Sequence, residues 1–183
     1  MKPEDCVLFS GAANGAEAIF GAAAERHGVA EVNFTFEGHK DTRTRGIRVL
    51  TRPELAEGDV SLSYVSRLMH RKYKDTPLFR SVLQSIWHQI HNGEEIYVVG
   101  QILEDDTVKG GTGWGAELAK LHNKPLFVFD QVRDGWHRWS REAWQECTAP
   151  TISRKRFTGT GTRFLTHPGR AAIEDLFARS FGG

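Results

Sequence analysis

The stretch "VKGGTGWGAELAKLHNKPLFVFDQ", Val108 to Gln131, decides how this chain is read. Four glycines, Gly110, Gly111, Gly113 and Gly115, fall within six positions, and an Asn-Lys-Pro break separates the segment after them from the apolar run "LFVFD". The pattern predicts a loop, a helix from about Thr112 to His122, and a buried strand from Leu126 to Asp130. A glycine turn that opens a helix exposes backbone N–H groups at the positive end of the helix dipole, where an anion is favoured.

The same device occurs near the N-terminus. "CVLFS", Cys6 to Ser10, reads as a buried strand that stops at Gly11, and the alanine-rich segment Gly15 to Gly28 reads as a helix with Gly28 as its C-cap. "EVNFTF", Glu31 to Phe36, alternates Val32, Phe34 and Phe36 on one face and completes a βαβ unit. The polar segment Glu37 to Asp59 reads as a long loop with one brief ordered piece around Ile47, Val49 and Leu50.

From Val60 to His91 the spacing predicts two helices, divided at Asp75-Thr76-Pro77, where an N-cap candidate meets a first-turn proline. "EIYVVGQIL", Glu95 to Leu103, is a continuous apolar run expected of a central strand buried on both faces. "GWHRWS" is expected to form a short hairpin with the strand before it, with Asp134-Gly135 as the turn. After Pro150 the pattern loosens until "PGRAAIEDLFARSF", an amphipathic terminal helix. The expected fold is α/β: one Rossmann-like three-layer domain spanning residues 1–183, with a mostly parallel sheet, a short C-terminal hairpin and a terminal helix.

Composition narrows the function classes. Twenty-four basic and 23 acidic side chains give a formal charge of +1, so no global field draws the chain onto nucleic acid or an anionic membrane. The clusters "RKYK" (Arg71 to Lys74) and "SRKR" (Ser153 to Arg156) read as solvated surface. Two cysteines, Cys6 and Cys147, make neither a disulfide framework nor a thiolate metal cage, and no run approaches the length of a membrane span. A cytoplasmic protein is expected. The eight histidines show no HExxH spacing, and no metal or other cofactor is expected.

Two strand–glycine–helix turns set side by side in a parallel sheet would form one composite ligand crevice at the strand C-termini. Its candidate residues are Ser10, Gly11, Asn14 and Gly15 in the first turn, and Gly110, Gly111, Thr112 and Gly113 in the second. Neither turn matches the six-residue dinucleotide fingerprint, and no Gly-Lys-Ser/Thr is present. Trp114 either stacks on a base or plugs the sheet end. Asp130, at a strand end, and Arg163, in "GTGTR", are further candidate ligand contacts, with a loop cap as the other reading of Asp130. Glu117, placed at the helix start, and Glu17 are the candidate catalytic carboxylates, each with a plain first-turn reading beside it.

"SGAANGAE" and "GGTGWGAELAKLHNKPLFVFD" resemble the two ligand loops of the SLOG superfamily, Rossmann-like proteins that include the Lonely Guy phosphoribohydrolases, the DNA-processing protein family and the putative molybdenum carriers. The resemblance is closest to small SLOG-type proteins of bacteriophages, which share the "GGTGW" turn and the "GTGTR" piece. Gly110, Gly111, Gly113 and Glu117 fall on the Lonely Guy pattern Pro-Gly-Gly-x-Gly-Thr-x-x-Glu, but Lys109 replaces the proline and Trp114 the threonine. "MHRK", Met69 to Lys72, lacks one residue of that family's second motif and lies far upstream of the glycine loop. The resemblance implies a small nucleotide-type ligand and a homodimer. The activity it implies is cleavage of an N-glycosidic bond by Glu117, alone or with Glu17, the alternatives being a sensor or sequestering protein for a nucleotide signal and, behind it, a single-stranded nucleic-acid binder as in the DNA-processing relatives.

Overall fold

The N-terminal βαβ unit forms where the apolar pattern puts it. In the computed structural model, which describes residues 1–73 and 76–182, β1 (Val7–Ser10) leads into α1 (Ala16–Arg26) and then β2 (Ala30–Thr35). Gly28, at φ +74°, ends α1 in the left-handed region that favours glycine.

In the segment expected to be a loop with one brief ordered piece, that piece is β3 (Ile47–Val49), and a short helix, α2 (Arg52–Ala56), is present besides. Thr51 and Glu54 close a reciprocal capping box at the start of α2. Two longer helices follow, α3 (Asp59–Met69) and α4 (Pro77–Asn92), with the Thr76 hydroxyl accepting the Phe79 N–H as the cap of α4. Asp75, the other cap candidate, lies outside the described residues, as does Lys74.

β4 (Glu95–Gly100) is buried at every position and ends three residues earlier than its apolar run. α5 (Thr112–Leu121) and β5 (Leu126–Asp130) follow as expected. β6 (Gly135–Trp139) folds back antiparallel on β5, β7 (Trp144–Cys147) pairs with β6, and α6 (His167–Phe181) closes the chain.

The loosely patterned region after Pro150 contains β8 (Arg156–Gly161), and β8 is central. The sheet order is β3-β2-β1-β8-β4-β5-β6-β7, and β8 runs parallel to both β1 and β4. The crossover from β1 to β2 moves to one side of β8 and that from β4 to β5 to the other. With right-handed connections, α1 and α5 therefore lie on opposite faces. Tyr97, Val99, Leu8 and Phe157 pack with α1 and α6, whereas Ile96, Val98, Leu126 and Val128 pack with α3, α4 and α5. Among the described residues, no helix is long and apolar enough to cross a membrane.

Three tryptophans near the hairpin pack within the fold. Trp136 packs edge-on to Tyr97 and Phe129. Trp139 and Trp144 meet at 5.1 Å, with the Lys120 ammonium 4.0 Å above the Trp139 ring.

β8 escapes sequence reading because its centre, Thr158 to Gly161, has threonines and glycines where a core strand usually has branched apolar residues. The structure needs those types. The buried Phe20 ring of α1 lies directly on the Gly159 backbone, so a β-carbon there would collide with it. On the other face the Thr158 hydroxyl donates to Gln89 O at 2.6 Å. Overpacking of this kind costs about 1–3 kcal/mol. Gly159→Ala is expected to lower unfolding stability by about that amount in urea titrations, and an unchanged midpoint would mean that α1 can lift away from β8.

Candidate functional site

The C-terminal ends of β1, β8 and β4 lie side by side, and three connections leave from them: β1–α1, β4–α5 and β8–α6. Each is fixed by hydrogen bonds from polar side chains or backbone elsewhere in the fold.

The β1–α1 turn is largely closed on itself. Ser10 is fully buried and donates its hydroxyl to Gly159 O at 2.7 Å, which makes it a brace between strands rather than a ligand contact. The Ala12 N–H donates to the side chain of Asn33, whose amide in turn reaches Glu31 and Arg45 O. Ala12 itself sits at φ +61°, held there by N–H donations from Thr42 and Arg43 to its carbonyl. The Ala16 N–H, at the start of α1, donates to Thr162 O at 2.9 Å. Gly15, at φ +90°, is pressed so closely against the backbone of Thr162 and Arg163 that no side chain fits. Asn14 is exposed.

Glu17 lies beneath this turn, only 6% exposed. Its carboxyl accepts the Ala13 N–H at 3.1 Å and the Thr160 hydroxyl at 2.9 Å. Gly11 leaves room for that carboxyl and for the Gln89 side chain, since a β-carbon at Gly11 would strike both. Burial pushes the Glu17 carboxyl above the ordinary carboxylate range, opposed by its hydrogen bonds from Thr160 and Ala13, by Gln89, and by the nearby charge of His39. The Oε1 of Gln89 is buried without a hydrogen-bond partner among the described residues.

The β4–α5 turn is more open. The Gly113 and Trp114 N–H groups are taken by Gly110 O and Gly111 O, each at 3.1 Å. Gly110, at φ +70°, and Gly111 have open space where a β-carbon would stand, and Gly111 provides no side-chain cap for α5. Gly113 is different: a side chain there would collide with Val108 O and the Arg71 guanidinium. Arg71 Nη1 donates to Val108 O and Gly110 O, both at 3.1 Å, and Nη2 to the Thr107 hydroxyl at 2.8 Å. The 39-residue separation of Arg71 from the glycine turn hid this contact, which arises because α3 packs against α5.

Two expectations for α5 are corrected. Trp114 is 2% exposed and packs against Tyr73 and Phe79, so it plugs the core and offers no stacking face. Glu117 stands in the second turn of α5, not the first. Its carboxylate is paired with the Lys120 ammonium at 2.7 Å, and that ammonium also donates to Asp106 O and caps the Trp139 ring. Asp130 is fully buried and organises loops, accepting N–H groups from Ile102, Val132 and Arg133. Thus Asp130 carries no free oxygen towards the crevice.

In the β8–α6 turn, Arg163 and Phe164 are exposed. Two cavities of about 430 Å³ lie elsewhere, one lined by Asp59, Tyr64, Tyr73 and Arg80, the other by His91, Asn123, Lys124 and Arg156 at the N-terminal end of the sheet. Among the described residues, no group of three His, Cys, Asp or Glu side chains is placed to hold a metal ion.

No family model matches this chain, and no curated protein matches it. Among solved structures it is similar to a "putative molybdenum carrier protein" from Syntrophus aciditrophicus, with a TM-score of 0.50 and 12% identity over 96% of this chain and 94% of the other. The likeness is one of fold, and it agrees with the Rossmann-like architecture implied by the two glycine turns.

The buried Glu17 carboxyl has a signature in solution. Between the ordinary glutamate range near pH ~4.3 and its raised value in the fold, the unfolded chain ionises while the folded chain keeps its proton. Stability therefore falls as pH rises through that window and levels off above it. Glu17→Gln removes this slope, so its melting temperature relative to the parent is expected to climb with pH from about 4 upward. A difference that stays flat to pH 8 would show that Glu17 is not held protonated.

Proposed function

We propose that the chain binds a small phosphate-bearing, nucleotide-type ligand in the crevice between the Gly110–Thr112 turn and the Asn14, Gly15 and Arg163 side, and that it senses or sequesters this ligand. The observation that carries the reading is the uncapped N-terminus of α5, where Gly110 and Gly111 leave the backbone open. The N–H groups of Gly111 and Thr112 would meet the phosphate there, favoured by the helix dipole. Arg163, exposed across the β8 end, supplies the matching charge.

Binding is favoured over N-glycosidic cleavage by the state of the two carboxylates. A carboxylate that stabilises a developing sugar cation has to face the ligand. Glu117 is neutralised by Lys120, and Glu17 is covered by the β1–α1 turn. The anion site described here also suits a tetrahedral oxyanion, so molybdate belongs among the ligands tried.

The test incubates the protein with nucleoside monophosphates, ADP-ribose, NAD, cyclic dinucleotides and molybdate, then examines retained material and supernatant by mass spectrometry. Intact ligand retained by the parent, and lost from Gly111→Val, is the expected result. Free base released by the parent, and absent with Glu117→Gln, would replace this reading with hydrolysis.

The homodimer is proposed on the exposed side of α3. Val60, Tyr64 and Leu68 recur every four residues on the exposed side of α3, Val60 being 84% exposed. The exposed acid Glu57 lies at one end of this stripe and the exposed bases Arg67 and Lys72 at the other. A second α3, antiparallel about a twofold axis near Tyr64, would set Val60 against the partner's Leu68 and acid against base. Light scattering is expected to give a dimer mass for the parent and a monomer mass for Tyr64→Asp; a parent monomer at tens of micromolar would refute the contact.

A further inference from the structure

We infer that Phe164 is the platform on which the base of the bound ligand stacks, with Arg163 beside it taking a phosphate; this rests on the binding reading above and assigns its ligand class as a nucleotide rather than a sugar phosphate. Trp114, the other aromatic beside a strand-end turn, is taken up by the core and leaves no face for stacking. Phe164 is 80% exposed although it stands on a fixed stretch of backbone at the C-terminal edge of the sheet.

The fixing is extensive. The Phe164 N–H donates to the Thr162 hydroxyl at 3.0 Å, and its carbonyl accepts from Gln131 Nε2 at 3.2 Å. On one side, Thr162 is bound through its N–H to Val99 O at the end of β4, and through its carbonyl to the Ala16 N–H at the start of α1. On the other, the Thr166 N–H and hydroxyl both donate to Gln131 Oε1, at 2.8 and 2.9 Å. The turn bearing Phe164 is thereby tied to β4, α1 and the end of β5 at once.

An apolar ring held in water on a rigid turn is preorganised for a flat partner, since little ordering remains to be done on binding. The position fits the reading of the crevice. Arg163 precedes Phe164, and its backbone lies against Gly15 of the β1–α1 turn. Val132, 69% exposed, follows Gln131 on the β5–β6 turn. Every base has a π face, so the platform selects a base over no base without selecting which base.

The experiment measures calorimetric affinity of the parent, Phe164→Ala and Phe164→Trp for AMP, ADP-ribose and ribose 5-phosphate, with light scattering of each protein. Because Phe164 is exposed, the alanine variant is expected to fold and melt as the parent does. Loss of one base–aromatic stack corresponds to about 5- to 150-fold in affinity. Phe164→Ala is expected to weaken at least one of the two nucleotides by that factor while leaving ribose 5-phosphate within about twofold. Phe164→Trp is expected to keep nucleotide affinity and to show quenching of the new indole. Unchanged nucleotide affinity in Phe164→Ala, or an equal loss for ribose 5-phosphate, overturns the stacking role and leaves the binding reading standing. A change of oligomeric mass in Phe164→Ala assigns the ring to a subunit contact instead and also overturns it. A parent that binds none of the three probes overturns the inference together with the nucleotide reading beneath it.

Discussion

The ring of Phe20 resting on the bare backbone of Gly159 is the contact on which the architecture depends. It lets α1 lie close to β8, and β8 is the strand that joins two halves of the sheet into one. Without β8 the β1–β2–β3 group and the β4–β5–β6–β7 group would share no hydrogen-bonded edge. Glycine at 159 and 161 and threonine at 158 and 160 are thus packing residues. One pair makes way for Phe20 and Ala16, and the other pair supplies hydroxyls to Gln89 O and the Glu17 carboxyl.

Once β8 is in place, the two outward crossovers put α1 and α5 on opposite faces and leave their N-terminal turns facing each other over the β8 end. The polar interior then determines what remains available there. Asn33, Glu17, Asp130, Gln131 and Arg71 each spend their hydrogen-bonding groups on loop backbone, side chain or both. Buried groups of this kind cost stability unless paired, and pairing them stiffens all three connections. Among the groups left facing solvent are the backbone of Gly110 and Gly111, the Asn14 side chain, and the Arg163 and Phe164 side chains. Such a set offers anion and ring contacts on a rigid frame, and both candidate carboxylates are engaged elsewhere.

Several features were legible in the residues. Periodicity and glycine placement gave β1, α1, β2, the two middle helices, β4, α5, β5, the hairpin and α6, because each carries an apolar face with the period of its own element. The strand-to-helix position of both glycine turns was equally legible. The reading failed where side-chain identity served a distant partner. β8 was hidden by its small and hydroxylic residues, and α2 by a polar segment whose order comes from the Thr51–Glu54 box and from docking Leu55, whereas β3 falls on the brief ordered piece expected around Ile47, Val49 and Leu50. Arg71 was set aside because of its distance along the chain.

The sequence by itself determined the layered α/β class, the elements with clear periodicity, and the two places where a strand breaks at glycine into a helix, since these follow from local spacing and backbone stereochemistry. Only the tertiary structure decided which polar residues are spent and which are free. Trp114 and Phe164 are both aromatic residues within three positions of a glycine, yet one is enclosed by Tyr73 and Phe79 and the other stands in solvent. Glu17 and Glu117 look alike in sequence, yet one is sealed under Gly11 and the other is clamped by Lys120. Exposure and pairing are properties of neighbours brought from elsewhere in the chain, and no local pattern encodes them.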